Sequence, residues 1–195
     1  MSSSIYTARQ GKLADVLEKA GLNALALNPG PSLTYLTGLH FHLSERPVVA
    51  IFIPGLPVQI VLPVLERLKV ENSPFPIQAF PYEEDPTCWE QVFAQAIRSG
   101  KLHGAIGIEP RQFRVLELRL VEAAAPDVHF TSAENAVAAL RMQKDSTELA
   151  SMRKAVSIAQ EALTKTLPHF RFGMSEKELA SELISQALRA GSEGE

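Results

Sequence analysis

Residues 24–38 read Ala24-Leu25-Ala26-Leu27-Asn28-Pro29-Gly30-Pro31-Ser32-Leu33-Thr34-Tyr35-Leu36-Thr37-Gly38. Four apolar residues run into a turn signal of asparagine, two prolines and a glycine. The run is too short for a buried helix and reads as a buried strand. Ser32 to Leu36 then forms a short helical turn, which Gly38 ends. A strand that feeds a helix through a tight turn is the basic step of an α/β fold.

The flanking sequence extends this alternation. Residues 5–20 place Ile5, Leu13, Val16, Leu17 and Ala20 near helical spacing, and Gly21 stops the helix. Val48 to Ile53 and Val58 to Leu62 read as strands joined by Pro54-Gly55-Leu56-Pro57, a β-hairpin signal. Pro63 is expected to start a helix through Val64, Leu65, Leu68 and Val70. Strands are expected at Ile77 to Phe80, Ala105 to Ile108 and Val128 to Phe130. Helices are expected at Thr87 to Ile97, with Trp89, Val92, Phe93, Ala96 and Ile97 inward, and at Phe113 to Ala124. The predicted fold class is α/β: a mixed β-sheet with helices on its faces.

After residue 133 only helix signals remain. Asp145-Ser146-Thr147-Glu148 is a capping box, and Ser175 with Glu178 is a second. Met174 and Leu179 stand where a hydrophobic staple would close the second helix start. The first of these helices carries Leu149, Met152, Val156, Ala159, Leu163 and Leu167 three or four apart, and Leu179, Leu183, Ala187 and Leu188 continue the stripe. Such a stripe is a surface made to be covered. The pattern leaves two readings: a C-terminal helical hairpin docked on the sheet domain, or the start of a second domain.

The chain has 195 residues, 46% hydrophobic and 21% charged, with a formal net charge of −3. Nothing in this balance selects nucleic acid or an anionic membrane as partner. The apolar stretch from Val48 to Val61 is broken by Pro54, Gly55 and Pro57, so no membrane span is expected. The N-terminus lacks the order of a signal peptide. Cys88 is the one cysteine. It reads as packing beside Trp89, and the compartment expected is the reducing cytoplasm.

Reactive constellations are few. His40-Phe41-His42 is the one histidine cluster, and positions i and i+2 share a face of an extended segment. No third ligand is apparent, so the pair reads either as solvent-exposed loop histidines or as part of a metal site in a complete small α/β protein. Glu83-Glu84-Asp85 reads as a solvated turn capping the helix that follows, with a hard-cation site as the other reading. Glu109 and Arg111 flank Pro110 at a strand end and read as an ion pair. Gly100, Gly104 and Gly107 make no phosphate loop, and no nucleophile elbow is present.

Three stretches resemble the creatinase/prolidase family. Asn28 with Tyr35-Leu36-Thr37-Gly38 is similar to that family's signature after the first strand. Leu140-Arg141-Met142-Gln143-Lys144-Asp145-Ser146-Thr147-Glu148-Leu149 resembles the linker that opens its catalytic domain, with Gln143 and Asp145 departing from the commonest residues. Gly173-Met174-Ser175-Glu176-Lys177-Glu178-Leu179-Ala180 is similar to a third motif. The resemblance implies an N-terminal domain of a proline-directed metallopeptidase over residues 1–139, followed at 140–195 by the linker and first two helices of a "pita-bread" catalytic domain. It places the five metal ligands of that family beyond residue 195, so no catalytic and no metal residue is expected here. The parent is expected to bind two divalent ions (manganese, cobalt or zinc) and to act on proline-containing peptides, as a homodimer. It further implies that the loop Leu39 to Pro47, with His40, Phe41, His42 and Arg46, shapes substrate access, in several members from the partner subunit. Relatives that bind proteins without catalysis, histone chaperones among them, leave a non-enzymatic binding module as the alternative.

Overall fold

The computed structural model describes residues 3–193. They fall into two compact units that divide between Met142 and Gln143.

The first unit is a six-stranded mixed sheet. In chain order its elements are α1 (Ser3–Ala20), β1 (Ala24–Leu27), α2 (Pro31–Thr37), β2 (Val49–Phe52), β3 (Val58–Pro63), α3 (Leu68–Glu71), β4 (Ile77–Tyr82), α4 (Trp89–Gly100), β5 (Gly104–Ile108), α5 (Val115–Ala124), β6 (Val128–Ser132) and α6 (Glu134–Met142). The strand order is β4-β3-β2-β1-β5-β6. β1 pairs antiparallel with β2 and parallel with β5, β2–β3 is the antiparallel hairpin, and β3–β4 and β5–β6 are parallel.

β1, β2 and β3 are buried along their whole length, as apolar runs without alternation should be when both faces are covered. Side chains nonetheless alternate between two cores. Leu25, Leu27, Phe52, Ile60 and Leu62 meet Leu13 and Leu17 of α1, Leu33 and Leu36 of α2, and Val137 and Leu140 of α6. Ala24, Ala26, Val49, Ile51 and Val61 face the opposite side, with Phe93 and Ile97 of α4 and Val121 of α5. β1 thus offers leucines to one layer and only methyl groups to the other.

Three expectations shift. Pro63 does not open a helix. It ends β3 in extended conformation, paired opposite Tyr82, and a 3-10 turn (Val64–Glu66) and the single turn of α3 follow. Leu65 and Leu68 remain exposed, so their helical spacing marks no buried face. Phe113 lies outside α5: its N–H donates to Glu109 O at 2.8 Å and its ring is buried in the turn that leaves β5. α4 starts at Trp89 after a 3-10 turn (Pro86–Cys88) and continues to Gly100.

The second unit is a helical hairpin of α7 (Ser146–Thr166) and α8 (Glu176–Arg189). Both predicted capping boxes are formed: Glu148 N donates to Asp145 Oδ1 at 2.8 Å, and Ser175 N donates to Glu178 Oε2 at 2.8 Å. Met174 and Leu179 of the expected staple are half-buried. Ala162, Thr166 and Gln186 are buried within the hairpin. Leu149, Met152, Val156, Leu163 and Leu167, the stripe read from the sequence, are exposed.

The backbone hydrogen bond to Ser175 holds the Glu178 carboxyl below its ordinary value. A depressed carboxyl stabilises the fold above the unfolded value and loses that contribution as pH falls through it. The start of α8 is therefore expected to fray on acidification below about pH 4, and Glu178→Gln to remove that pH dependence. A chemical-shift titration of the α8 amides checks it.

Candidate functional site

The strand directions collect one set of ends along a single edge of the sheet. β1, β3, β4, β5 and β6 end there and β2 begins there. In open α/β sheets ligands sit outside the carboxyl ends of strands. The loop 39–47, which joins α2 to β2, lies at this edge.

Other elements hold this loop through its carbonyls. Lys69 of α3 donates to His40 O at 3.1 Å, and its Nζ stands 5.3 Å from the centre of the Phe41 ring. Tyr82 at the end of β4 donates to Pro47 O at 2.9 Å. Asn28 at the end of β1 donates through Nδ2 to Val48 O at 3.0 Å and accepts from Arg114 N at 3.1 Å. Arg114 Nη1 donates to Ser44 O. Gly38, at φ +71, turns the chain out of α2 into the loop.

The four predicted access residues differ in exposure. His40 and His42 are exposed, and Phe41 is half-buried against the first core. The Arg46 guanidinium is shared between two carboxylates, Glu84 at 2.8 Å and Glu45 at 2.7 Å. The Glu84 hydrogen bond, with the charge behind it, raises Arg46 above the ordinary arginine value.

A second chain of polar contacts lies along the same edge. Arg141 Nη1 donates to Ser32 Oγ at 3.2 Å, and Ser32 Oγ donates to Glu109 Oε1 at 2.8 Å. The expected ion pair of Glu109 with Arg111 is replaced: Glu109 takes the Ser32 hydroxyl, and Arg111 pairs with Glu134 at 3.1 Å. The proline between them holds the two side chains toward different elements. In the acidic run, Asp85 accepts from Thr87 N at 2.9 Å and caps the turn before α4, while Glu84 serves Arg46. Cys88 is half-buried beside Trp89, with Sγ 2.8 Å from Asp85 O.

Burial pushes the Tyr82 phenol well above its ordinary value. A raised phenol keeps its contribution below the unfolded value, about 10, and loses it as pH rises through the folded one. Tyr82→Phe is expected to cost about 1 kcal/mol at neutral pH through the lost Pro47 contact, and to lessen the fall in stability above pH 10. Denaturant melts across pH check both.

Arg114, Glu117, Tyr82 and Lys69 were not singled out by sequence reasoning. The three-residue spacing of Arg114 and Glu117 at a helix start was the legible signal. Among the described residues no group of three His, Cys, Asp or Glu side chains can hold a metal ion, and no third ligand joins His40 and His42. No described helix is long and apolar enough to cross a membrane.

The fold is thus an α/β domain whose sheet edge presents a side-chain-anchored loop, followed in sequence by a helical hairpin. Residues 9–143 match the Creatinase/Prolidase N-terminal domain family, and the chain belongs to it. It is 21% identical over 184 residues to YkvY of Bacillus subtilis (strain 168), a protein provisionally named a dipeptidase, covering 94% of this chain and 50% of that one. Among solved structures it resembles dipeptidase PepE from Mycobacterium ulcerans, with a TM-score of 0.81, 22% identity and 100% of this chain matched to 52% of the other. A dipeptidase from Pyrococcus horikoshii OT3 matches at a TM-score of 0.80 and 25% identity, over 95% of this chain and 51% of that one. The chain spans about half the length of these relatives.

Proposed function

We propose that this chain is the accessory N-terminal domain of a metal-dependent Xaa-Pro peptidase, that it supports dimerisation and substrate access, and that the 195 residues alone are not catalytic. The observation that carries this reading is the family match over residues 9–143 in a chain half as long as the dipeptidases it resembles. Residues 140–195 are read as the linker and first two helices of the catalytic domain. The exposed stripe of α7 supports that reading, since a surface of five large apolar side chains is suited to a further layer. The single cysteine supports a cytoplasmic setting.

The metal chemistry implied by the family resemblance has no ligand set among the described residues. The part of this chain in the reaction is to shape the way in. The exposed His40 and His42 offer imidazole hydrogen bonds at a cleft mouth, and Phe41 gives the loop an apolar foot. Arg46 meets a substrate carboxylate by exchanging Glu45 or Glu84. These ion pairs are open to solvent and screened by it, so the exchange costs little.

The test compares the 195-residue chain with a version extended by the downstream residues of its gene, both assayed on an Xaa-Pro dipeptide with added manganese. Hydrolysis is expected only from the extended version, with sedimentation reporting a dimer. In that version His42→Ala and Arg46→Ala are expected to raise KM about tenfold with little change in kcat, the mark of lost uniform binding. An extended version that binds metal and hydrolyses nothing, or activity in the 195 residues alone, would sink the reading.

A further inference from the structure

Glu117 is a carboxylate with no exposure at all, on a helix whose neighbouring residues Leu120 and Val121 belong to the core. Its partner is Arg114, three residues earlier, whose Nε donates to both carboxylate oxygens at 2.9 and 3.1 Å and whose Nη2 also meets Oε1. The remaining arm of the guanidinium, Nη1, points out of the core and donates to Ser44 O in the middle of the loop 39–47. The Arg114 side chain is 28% exposed, so it leads from the sealed carboxylate to the surface.

Fold stability does not explain this pair. Desolvating a carboxylate costs several kcal/mol, and buried ion pairs are often replaced by apolar side chains without loss. An ion pair does what an apolar pair cannot: it fixes the plane and direction of a guanidinium fork. The loop needs such a fixture. It has no regular secondary structure, and none of the loop and turn backbone–backbone hydrogen bonds falls within residues 39–47. Its backbone amides find local partners in hydroxyls, Leu39 N in Thr37 Oγ1 and Arg46 N in Ser44 Oγ. Lys69 and Tyr82 grip its two ends, at His40 O and Pro47 O, and Arg114 holds the centre.

We propose that Arg114, oriented by the buried Glu117, is a positioning residue that clasps the loop 39–47 at Ser44 and thereby sets where His40, His42 and Arg46 stand. The clasp itself is a property of this domain. Its consequence for substrate rests on the access reading above.

The experiment measures 15N order parameters in the 195-residue chain. In the unsubstituted chain the amides of residues 40–46 are expected near the rigid value of about 0.85. Arg114→Lys keeps a charge for Glu117 but cannot also reach Ser44, and Glu117→Gln removes the charge that aims the fork. Both are expected to bring the loop below about 0.6 while β1, β2 and β5 stay near 0.85. Arg119→Lys, which alters the surface pair with Glu122 on the same helix, is expected to leave the loop unchanged. A loop that stays rigid in both test variants would overturn the clasp. So would loosening or unfolding spread equally over the sheet, which would make the pair a core support. In the extended version, Arg114→Lys is expected to raise KM about tenfold at nearly constant kcat. A loosened loop with an unmoved KM leaves the clasp standing and removes the access reading.

Discussion

Phe93→Ala is expected to destabilise the first unit by about 3–5 kcal/mol, the usual range for deleting a fully buried aromatic side chain. The ring has no exposure and sits in the second core, where α4 meets the sheet. α4 packs there on β3, β4 and α5, and the same core holds Val61, Tyr82, Leu120 and Val121 of those elements. Side chains of a close-packed sheet core cannot relax fully into the hole, so the cavity cost adds to the lost transfer free energy. The thermal midpoint should fall by about 10 °C for a domain of this size. Denaturant titration with an unchanged m-value would assign the loss to stability rather than to a different unfolded state. A loss below about 1 kcal/mol would mean that α4 collapses onto the sheet, contrary to the packing described.

Gly38→Ala is the second large effect. Gly38 caps α2 at φ +71, and its N–H donates to Thr34 O. A Cβ there would lie 2.5 Å from Tyr6 Cζ. The left-handed backbone costs a non-glycine residue about 1–3 kcal/mol, and the crowding adds about 1–3 kcal/mol more. Tyr6 is not easily displaced, because its ring packs 6.0 Å from Phe75 and Arg9 stands over it. The two parts separate in a double variant: Tyr6→Ala should relieve the crowding in Gly38→Ala and leave the backbone cost. A fully additive pair would show that the two residues do not meet. The same substitution redirects the chain as it enters the loop 39–47, so the exposure of His40 and His42 should change with it.

Local pattern was sufficient where it was unambiguous. Ala24 to Leu27 is a continuous apolar run, Val58 to Leu62 is apolar but for Gln59, and Pro54 to Pro57 is a hard stop; both strands and the turn between hairpin strands are where the spacing puts them. The capping boxes at Asp145 and Ser175 are self-contained four-residue devices and needed no tertiary partner to be legible. Pro63 misled because its fixed φ suits both a helix start and the end of a strand. Pairing with β4 decided between them, and no local residue carries that information. Phe113 misled because an apolar residue two positions before a helix reads as part of it, while its burial comes from the turn leaving β5.

The candidate site was half legible. His40, Phe41, His42 and Arg46 are adjacent in sequence, so a loop bearing them is readable from the chain. Their anchors are not: Lys69, Tyr82, Glu84 and Arg114 lie in three separate segments, 29, 35, 38 and 70 residues from the groups they hold. Composition and periodicity specify which segments become strands and helices, because those depend on neighbours within a few residues. Which ends of those strands share an edge follows from the mixed parallel and antiparallel pairing, a long-range choice made by packing two cores at once. The order of the loop, and the direction of the Arg114 fork that grips it, are consequences of that choice.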